Sequence, residues 1–147
     1  MNCPRDIADA TDNPPPPDKY EVVLIGASLH MHKYQGAVIH YIKDHVETLN
    51  KRTSGFFSVC LAALGTDDES LEELHQITAA FLKDSGWKPV DIEQVPGALR
   101  YSKYDFFKKM IMRMIAKKGG KDTDTSGDYE YTDWPQVKAF LERMVKQ

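Results

Sequence analysis

Apolar runs of strand length alternate along this chain with amphipathic stretches of helix length. "YEVVLIG" (residues 20–26) is a continuous apolar run closed by glycine, the pattern of a strand buried on both faces. Residues 36–50 then place Val38, Ile42, Val46 and Leu49 on one helical face with charges opposite. The pair of patterns recurs. "GFFSVCLAAL" (residues 55–64) predicts a second strand, and "TDDESLEELHQITAAFLKDSG" predicts a helix with acids at its start, where they complement the dipole, and Gly86 as its stop. A third strand is expected in "VDIEQVPG" (residues 90–97), followed by a basic helix at 103–118 and the polar loop "GGKDTDTSGDYEY". At "TDWPQ" a last helix begins, with Asp133 as cap, Pro135 in the first turn and Gln136 three residues beyond the cap. Strand and helix in alternation predict an α/β architecture, a parallel sheet of three strands joined by crossover helices, with "YEVVLIG" on an edge.

The first nineteen residues break this rhythm. Four prolines at 14–17 favour an extended, stiff entry into the first strand, and this leader is expected to be poorly ordered ahead of a domain at residues 20–147. With 147 residues, 41% hydrophobic and 28% charged, the chain has the size and composition of one soluble globular domain rather than a disordered segment. It contains no apolar run of membrane-spanning length, and its N-terminus has neither the basic start nor the apolar centre of a signal peptide, so a cytoplasmic location is expected. Cys3 lies in the polar leader and Cys60 in an apolar run, contexts that predict two reduced thiols rather than a disulfide.

Charge is segregated. Residues 97–121 carry eight basic side chains against the single acid Asp105, a net +7 in a chain of net −3, which leaves −10 for the remainder. At helical spacing Tyr104, Phe107, Met110, Ile111, Met114 and Ile115 share a face, while Lys108, Lys109, Arg113 and Lys117 lie around the other. Phe106 and Met112 project among these basic residues. A core-packing helix with a solvated basic face accounts for most of the pattern, whereas two large apolar side chains among lysines match a helix resting on anionic lipid. No nucleic-acid recognition motif accompanies the basic stretch, so a nucleic-acid partner is not expected.

Few residues suggest chemistry of their own. His30, His32, His40 and His45 are close in sequence, but His40 and His45 are about 140° apart around a helix, and no Cys or Glu completes a ligand set, so no metal is expected. Cys60, inside its apolar run, lacks the exposed electropositive setting of a reactive thiol. No Ser/His/Asp order and no paired carboxylates stand out. Any redox chemistry would belong to a cofactor.

The stretches "VVLIGAS", "FFSVCLA", "GALRYSKYDFFKKMIMRMI", "GGKDTDT" and "YTDWPQV" together resemble the flavodoxin-like, menaquinone-dependent protoporphyrinogen oxidases, from about Tyr20 to the C-terminus. The region from "GALRY" to "TDW", about residues 98–131, is the most specific part, a basic helical insertion that ordinary flavodoxins lack. The resemblance implies a flavodoxin-like fold holding FMN at the carboxyl ends of parallel strands. It also implies transfer of electrons from protoporphyrinogen IX to a membrane quinone in haem biosynthesis, by this reaction or that of a close flavodoxin-like oxidoreductase.

By that resemblance the flavin ring is flanked by Ala27, Ser28, Leu29, His30, Met31 and His32 after the first strand, and by Leu61, Ala62, Ala63, Leu64, Gly65 and Thr66 after the second. Arg100, Lys103, Phe106, Lys108, Lys109, Met112, Arg113 and Lys117 are the candidates for contact with substrate propionates or with a membrane on its cytoplasmic face.

One departure stands out: the family opens with a strand and a hydroxyl- and glycine-containing loop that grips the FMN phosphate, and residues 1–19 supply acids and prolines instead. The chain therefore reads as an N-terminally shortened member, with weak or absent FMN binding and an exposed edge strand able to drive homo-oligomerisation. A truncated, non-catalytic membrane- or partner-binding protein is the competing reading.

Overall fold

The computed structural model describes residues 5–60, 63, 68–96, 98–100, 128–130 and 133–146. Strand β1 (Val22–His30) pairs in parallel with β3 (Thr53–Val59), in register from Val22 opposite Thr53 to Ser28 opposite Val59. On its other side β3 pairs in parallel with β4 (Asp91–Val95), from Gly55 opposite Asp91 to Val59 opposite Val95. Helices α1 (Gly36–Lys51) and α2 (Asp68–Ser85) form the two crossovers. This is the α/β, flavodoxin-like arrangement expected from the alternating pattern, and all three predicted strands are parallel strands.

The first strand corrects the expectation in two respects. It continues four residues past Gly26, and β2 (Lys33–Tyr34) folds back against its end, with Leu29 opposite Tyr34 and His30 opposite Lys33. The sheet thus has four strands in the order β2-β1-β3-β4, and β1 is not itself the outermost strand. Since β2 pairs with Leu29 and His30 alone, residues 22–28 have a strand partner on one side only among the described residues.

The second run is shifted as well: β3 begins two residues before Gly55 and ends at Val59, and Cys60 follows it half-buried rather than sitting in mid-strand. In the stretch read as a polar loop, β6 (Asp128–Glu130) pairs antiparallel with β5 (Ala98–Arg100). The two strands that flank residues 101–127 therefore bond to each other. The predicted basic helix at 103–118 lies outside the described residues.

Burial follows the pleat. Ile25, Ala27 and Phe56 point to one face, where they meet Val38, Ile42 and Leu49 of α1 and Trp87 from the turn after α2. The Trp87 indole N–H donates to Ser54 Oγ at 2.9 Å, and that hydroxyl donates to Leu49 O at 3.0 Å, so the polar atoms of this core are paired. Gly86, at φ 75°, terminates α2 as expected of a glycine in the left-handed region.

The opposite face is covered by α3 (Trp134–Val145), whose Asp133 cap accepts from Gln136 N at 3.2 Å. Phe140 and Met144 are buried over Gly55, where a Cβ would lie 2.7 Å from Met144 Sδ. Arg143 binds Asp91 Oδ2 at 2.7 Å and Glu93 Oε2 at 2.6 Å, and these two hydrogen bonds raise its pKa further. The leader makes specific contacts with α1. Tyr41 Oη donates to Pro15 O at 2.8 Å, Pro17 is fully buried at the start of a 3-10 turn (Pro17–Lys19), and Arg52 Nη2 donates to Asp18 O at 3.0 Å.

Candidate functional site

The carboxyl ends of β1, β3 and β4 share one edge of the sheet, the edge where open α/β folds gather their ligands. Of the six residues expected in a loop there, Ala27, Ser28, Leu29 and His30 belong to β1 instead, because Ala27 and Ser28 continue the parallel register and Leu29 and His30 enter the hairpin. Ala27 is buried in the core, Ser28 and Leu29 are half-buried, and His30 is exposed. Only Met31 and His32 form the turn, at φ 51° and 64°. A two-residue hairpin with both positions left-handed is the geometry that asparagine and glycine normally occupy, and ordinary side chains there are strained by roughly 1–2 kcal/mol each. Met31 is 75% exposed at the tip, and His32 Nδ1 lies 3.4 Å from Glu73 Oε1 of α2.

Beneath the turn runs a buried chain of hydroxyls. The Tyr34 hydroxyl lies 2.8 Å from Ser58 Oγ and 2.9 Å from Thr78 Oγ1. Thr78 Oγ1 donates to Leu74 O at 3.0 Å and accepts from Gln94 Nε2 at 3.0 Å. This cluster joins β2, β3, α2 and β4 one or two residues below the sheet edge. The Tyr34 ring packs between Phe56 and Phe81, at centroid distances of 5.4 and 4.7 Å. Beside the cluster a groove of about 300 Å³ opens between α2 and β4, lined by His75, Thr78, Ala79, Leu82, Ile92 and Gln94.

At the end of β3, Cys60 N donates to Val95 O at 2.9 Å and Ala63 N donates to Cys60 O at 3.0 Å. Of the second expected loop only Ala63 is described; Leu61, Ala62, Leu64, Gly65 and Thr66 lie outside the described residues. So do Lys103, Phe106, Lys108, Lys109, Met112, Arg113 and Lys117, while Arg100 ends β5. His40 and His45 both lie in α1; the His45 ring, at a residue with φ −120°, packs against Tyr41 with centroids 4.7 Å apart and planes tilted by 53°. Among the described residues no group of three metal-ligating side chains converges, and no helix is long and apolar enough to cross a membrane.

Tyr34, Ser58, Thr78 and Gln94 were not singled out by sequence reasoning. The available signal was a small polar residue, Ser58, two positions after Phe56 on the same face of a buried strand, but its partners are 24 and more residues away.

Comparison with known proteins agrees with this architecture. The flavodoxin domain model matches residues 4–126. A protoporphyrinogen IX dehydrogenase [quinone] of Escherichia coli (strain K12) is 34% identical over 128 residues, 87% of this chain and 70% of that protein. The protein of the same name from Leishmania major is 37% identical over 121 residues, 82% of this chain, which spans about half of that relative's length (52%). No solved structure matches. With its parallel β1-β3-β4 sheet, its crossover helices and a family match across most of its length, the chain belongs to the flavodoxin domain family.

Proposed function

We propose that the chain serves the FMN-dependent oxidation of protoporphyrinogen IX, with electrons passed to a membrane quinone such as menaquinone. The observation that carries this reading is the 34% identity over 87% of the chain to a relative of that name. The sheet edge supports it: a parallel carboxyl edge bordered by a strained, exposed turn suits one side of a planar ring. Ser28, Leu29, His30, Met31 and His32 would border the flavin, with Ala27 packed beneath them, and Ala63 would belong to the second bordering loop together with Leu61, Ala62, Leu64, Gly65 and Thr66. Bound FMN would supply the acceptor for the hydrogens removed from the porphyrinogen.

The phosphate end fits less well. The segment leading into β1 includes four prolines at 14–17, three of them outside the 3-10 turn, and proline has no N–H to offer an anion. Asp12 and Asp18 flank them. These residues give an FMN phosphate little to hold. Arg100, Lys103, Phe106, Lys108, Lys109, Met112, Arg113 and Lys117 form the surface that meets an anionic membrane or the substrate's propionates. Residues 22–28 of β1 are the place for association with a second copy.

The test is anaerobic incubation of the purified protein with excess FMN, protoporphyrinogen IX and a soluble menaquinone analogue, followed by porphyrin fluorescence. Porphyrin formation above the protein-free rate, dependent on FMN and quinone, is expected. No increase at saturating FMN would remove the catalytic reading and leave a non-catalytic membrane- or partner-binding role.

A further inference from the structure

We infer that Tyr34 is a positioning residue for the ligand-facing turn, holding Met31 and His32 in place through a polarised chain of hydroxyls. The inference rests on the flavin reading for its ligand, but not for its geometry.

Each hydroxyl has one proton, which orders the chain. Thr78 gives its proton to Leu74 O and accepts from Gln94 Nε2, so its remaining lone pair accepts from Tyr34. Tyr34 has then spent its proton, and the bond to Ser58 must run from Ser58 to Tyr34. The order is Ser58 to Tyr34 to Thr78 to Leu74 O. All three hydroxyl-bearing residues are buried, so none can exchange its partner for bulk water.

The anchoring matters because of where it acts. β2 is two residues long and Tyr34 is its second residue, opposite Leu29, so the hairpin has two paired positions to resist the strain at Met31 and His32. Among the described residues, the hairpin is also tied to α2 by the Tyr34 ring on Phe81 at 4.7 Å and by the His32 to Glu73 contact at 3.4 Å, the latter between side chains 66% and 56% exposed, which water weakens. The ring contacts of Tyr34 hold it laterally, and its buried hydroxyl bonds to Ser58 and Thr78 supply the directional tie that sets the turn against β3 and α2.

Tyr34→Phe keeps the ring contacts with Phe56 and Phe81 and removes the hydroxyl. Thr78→Val removes the acceptor with little change of shape, and Thr78→Ser restores it. FMN titration by fluorescence quenching should show the dissociation constant raised at least about tenfold in Tyr34→Phe, which loses the bonds to Ser58 and Thr78, and in Thr78→Val, which loses those to Tyr34, Gln94 and Leu74 O, and returned to near wild type in Thr78→Ser. Amide hydrogen exchange, read without flavin, should quicken at Met31, His32 and Lys33 by about the same factor while exchange at Phe140 in α3 is unchanged, a local loosening that a general loss of stability does not produce.

Unchanged FMN affinity in both Tyr34→Phe and Thr78→Val overturns the inference, as does uniform acceleration of exchange across the sheet. If the wild type binds no FMN, the flavin reading fails on its own. The positioning role is then decided by exchange alone: selective acceleration at the turn sustains it and unchanged rates there refute it. Should Tyr34→Phe not fold, Thr78→Val against Thr78→Ser carries the same comparison.

Discussion

The ring of Phe57 lies against the backbone of its cross-strand neighbour Gly26, in the space where a side chain on that residue would begin. The two are paired positions of β1 and β3, and an added Cβ would overlap Cζ and both Cε atoms of the ring. Phe57 also meets Phe140 of α3 edge to face at 6.4 Å, which restricts its retreat. Gly26→Ala should therefore destabilise by about 1–3 kcal/mol, the range for overpacking a filled site. Gly55→Ala should cost less, because the nearest atom there is the flexible Met144 Sδ at 2.7 Å. Urea unfolding of the two variants checks the order; equal midpoints would refute this account of Phe57.

The Met31 and His32 turn predicts the opposite sign. Replacing the pair with Asn-Gly supplies residues that tolerate left-handed φ and should stabilise the fold by about 1 kcal/mol, near 2–4 °C in Tm for a chain of this size. The lost His32 to Glu73 contact is exposed and offsets little. If the turn borders the flavin, the same variant should bind FMN more weakly while melting higher. A melting temperature at or below the wild-type value would show that the turn is not strained.

Such turns explain which parts of the fold could be read from the residues. The first parallel strand was legible from its continuous apolar run and the other two from short runs bounded by glycine between helical patterns, although β3 carries Ser54 and Ser58 and β4 carries Asp91, Glu93 and Gln94; helix ends were legible at Gly86 and Asp133, where backbone geometry and capping demand those residue types. The hairpin was not, since Met-His lacks the Asn-Gly signature and its two-residue second strand is too short for alternation. Nor was β6, whose three residues Asp128–Glu130 show no apolar pattern. The Tyr34 cluster escaped because its bonds cross 24 and 44 residues of sequence, distances that only the tertiary fold closes. For the candidate site, the sheet edge was foreseeable and the division between strand and turn was not.

Ser54 tests the core beneath. Its hydroxyl accepts from the Trp87 indole and donates to Leu49 O, with all three residues buried. Ser54→Ala should cost about 1–3 kcal/mol, because it leaves the indole N–H without a partner in a site closed to water. Trp87→Phe, alone, should destabilise as well, but adding Ser54→Ala to it should cost much less than Ser54→Ala costs the wild type. Additive effects in this double-mutant cycle would remove the hydrogen bond from the account.

Tyr41 gives the pH dependence its alkaline limb. Burial, and secondarily the charge of Asp18, raise its pKa above the ordinary value of 10.0. A phenol that holds its proton more tightly when folded contributes stability that is fully present below the unfolded pKa near 10 and is lost as pH rises through the higher folded value. Urea midpoints should therefore fall from pH 10 upward, and fall less steeply in Tyr41→Phe, which has no proton to lose at that position. Tyr20, raised chiefly by its hydrogen bond to Asp6, adds to the same limb in both proteins. Identical alkaline slopes would exclude Tyr41 as a contributor.

The basic segment separates docking from solubility. If Lys108, Lys109, Arg113 and Lys117 meet anionic headgroups while Phe106 and Met112 reach past them, binding to vesicles should require anionic lipid and weaken with salt. Each basic residue near such a surface contributes on the order of 1 kcal/mol, so reversing Lys109 and Arg113 to Glu should reduce partitioning by well over tenfold. Phe106→Ser should weaken binding without altering its salt dependence, because that side chain contributes apolar area and no charge. If the segment is instead a core-packing helix with a solvated basic face, the double reversal leaves vesicle partitioning unchanged, and Phe107 becomes the aromatic residue whose loss unfolds the domain. Cosedimentation with phosphatidylserine vesicles at low salt decides between them: equal partitioning of the wild type and the doubly reversed protein would rule out the docking role.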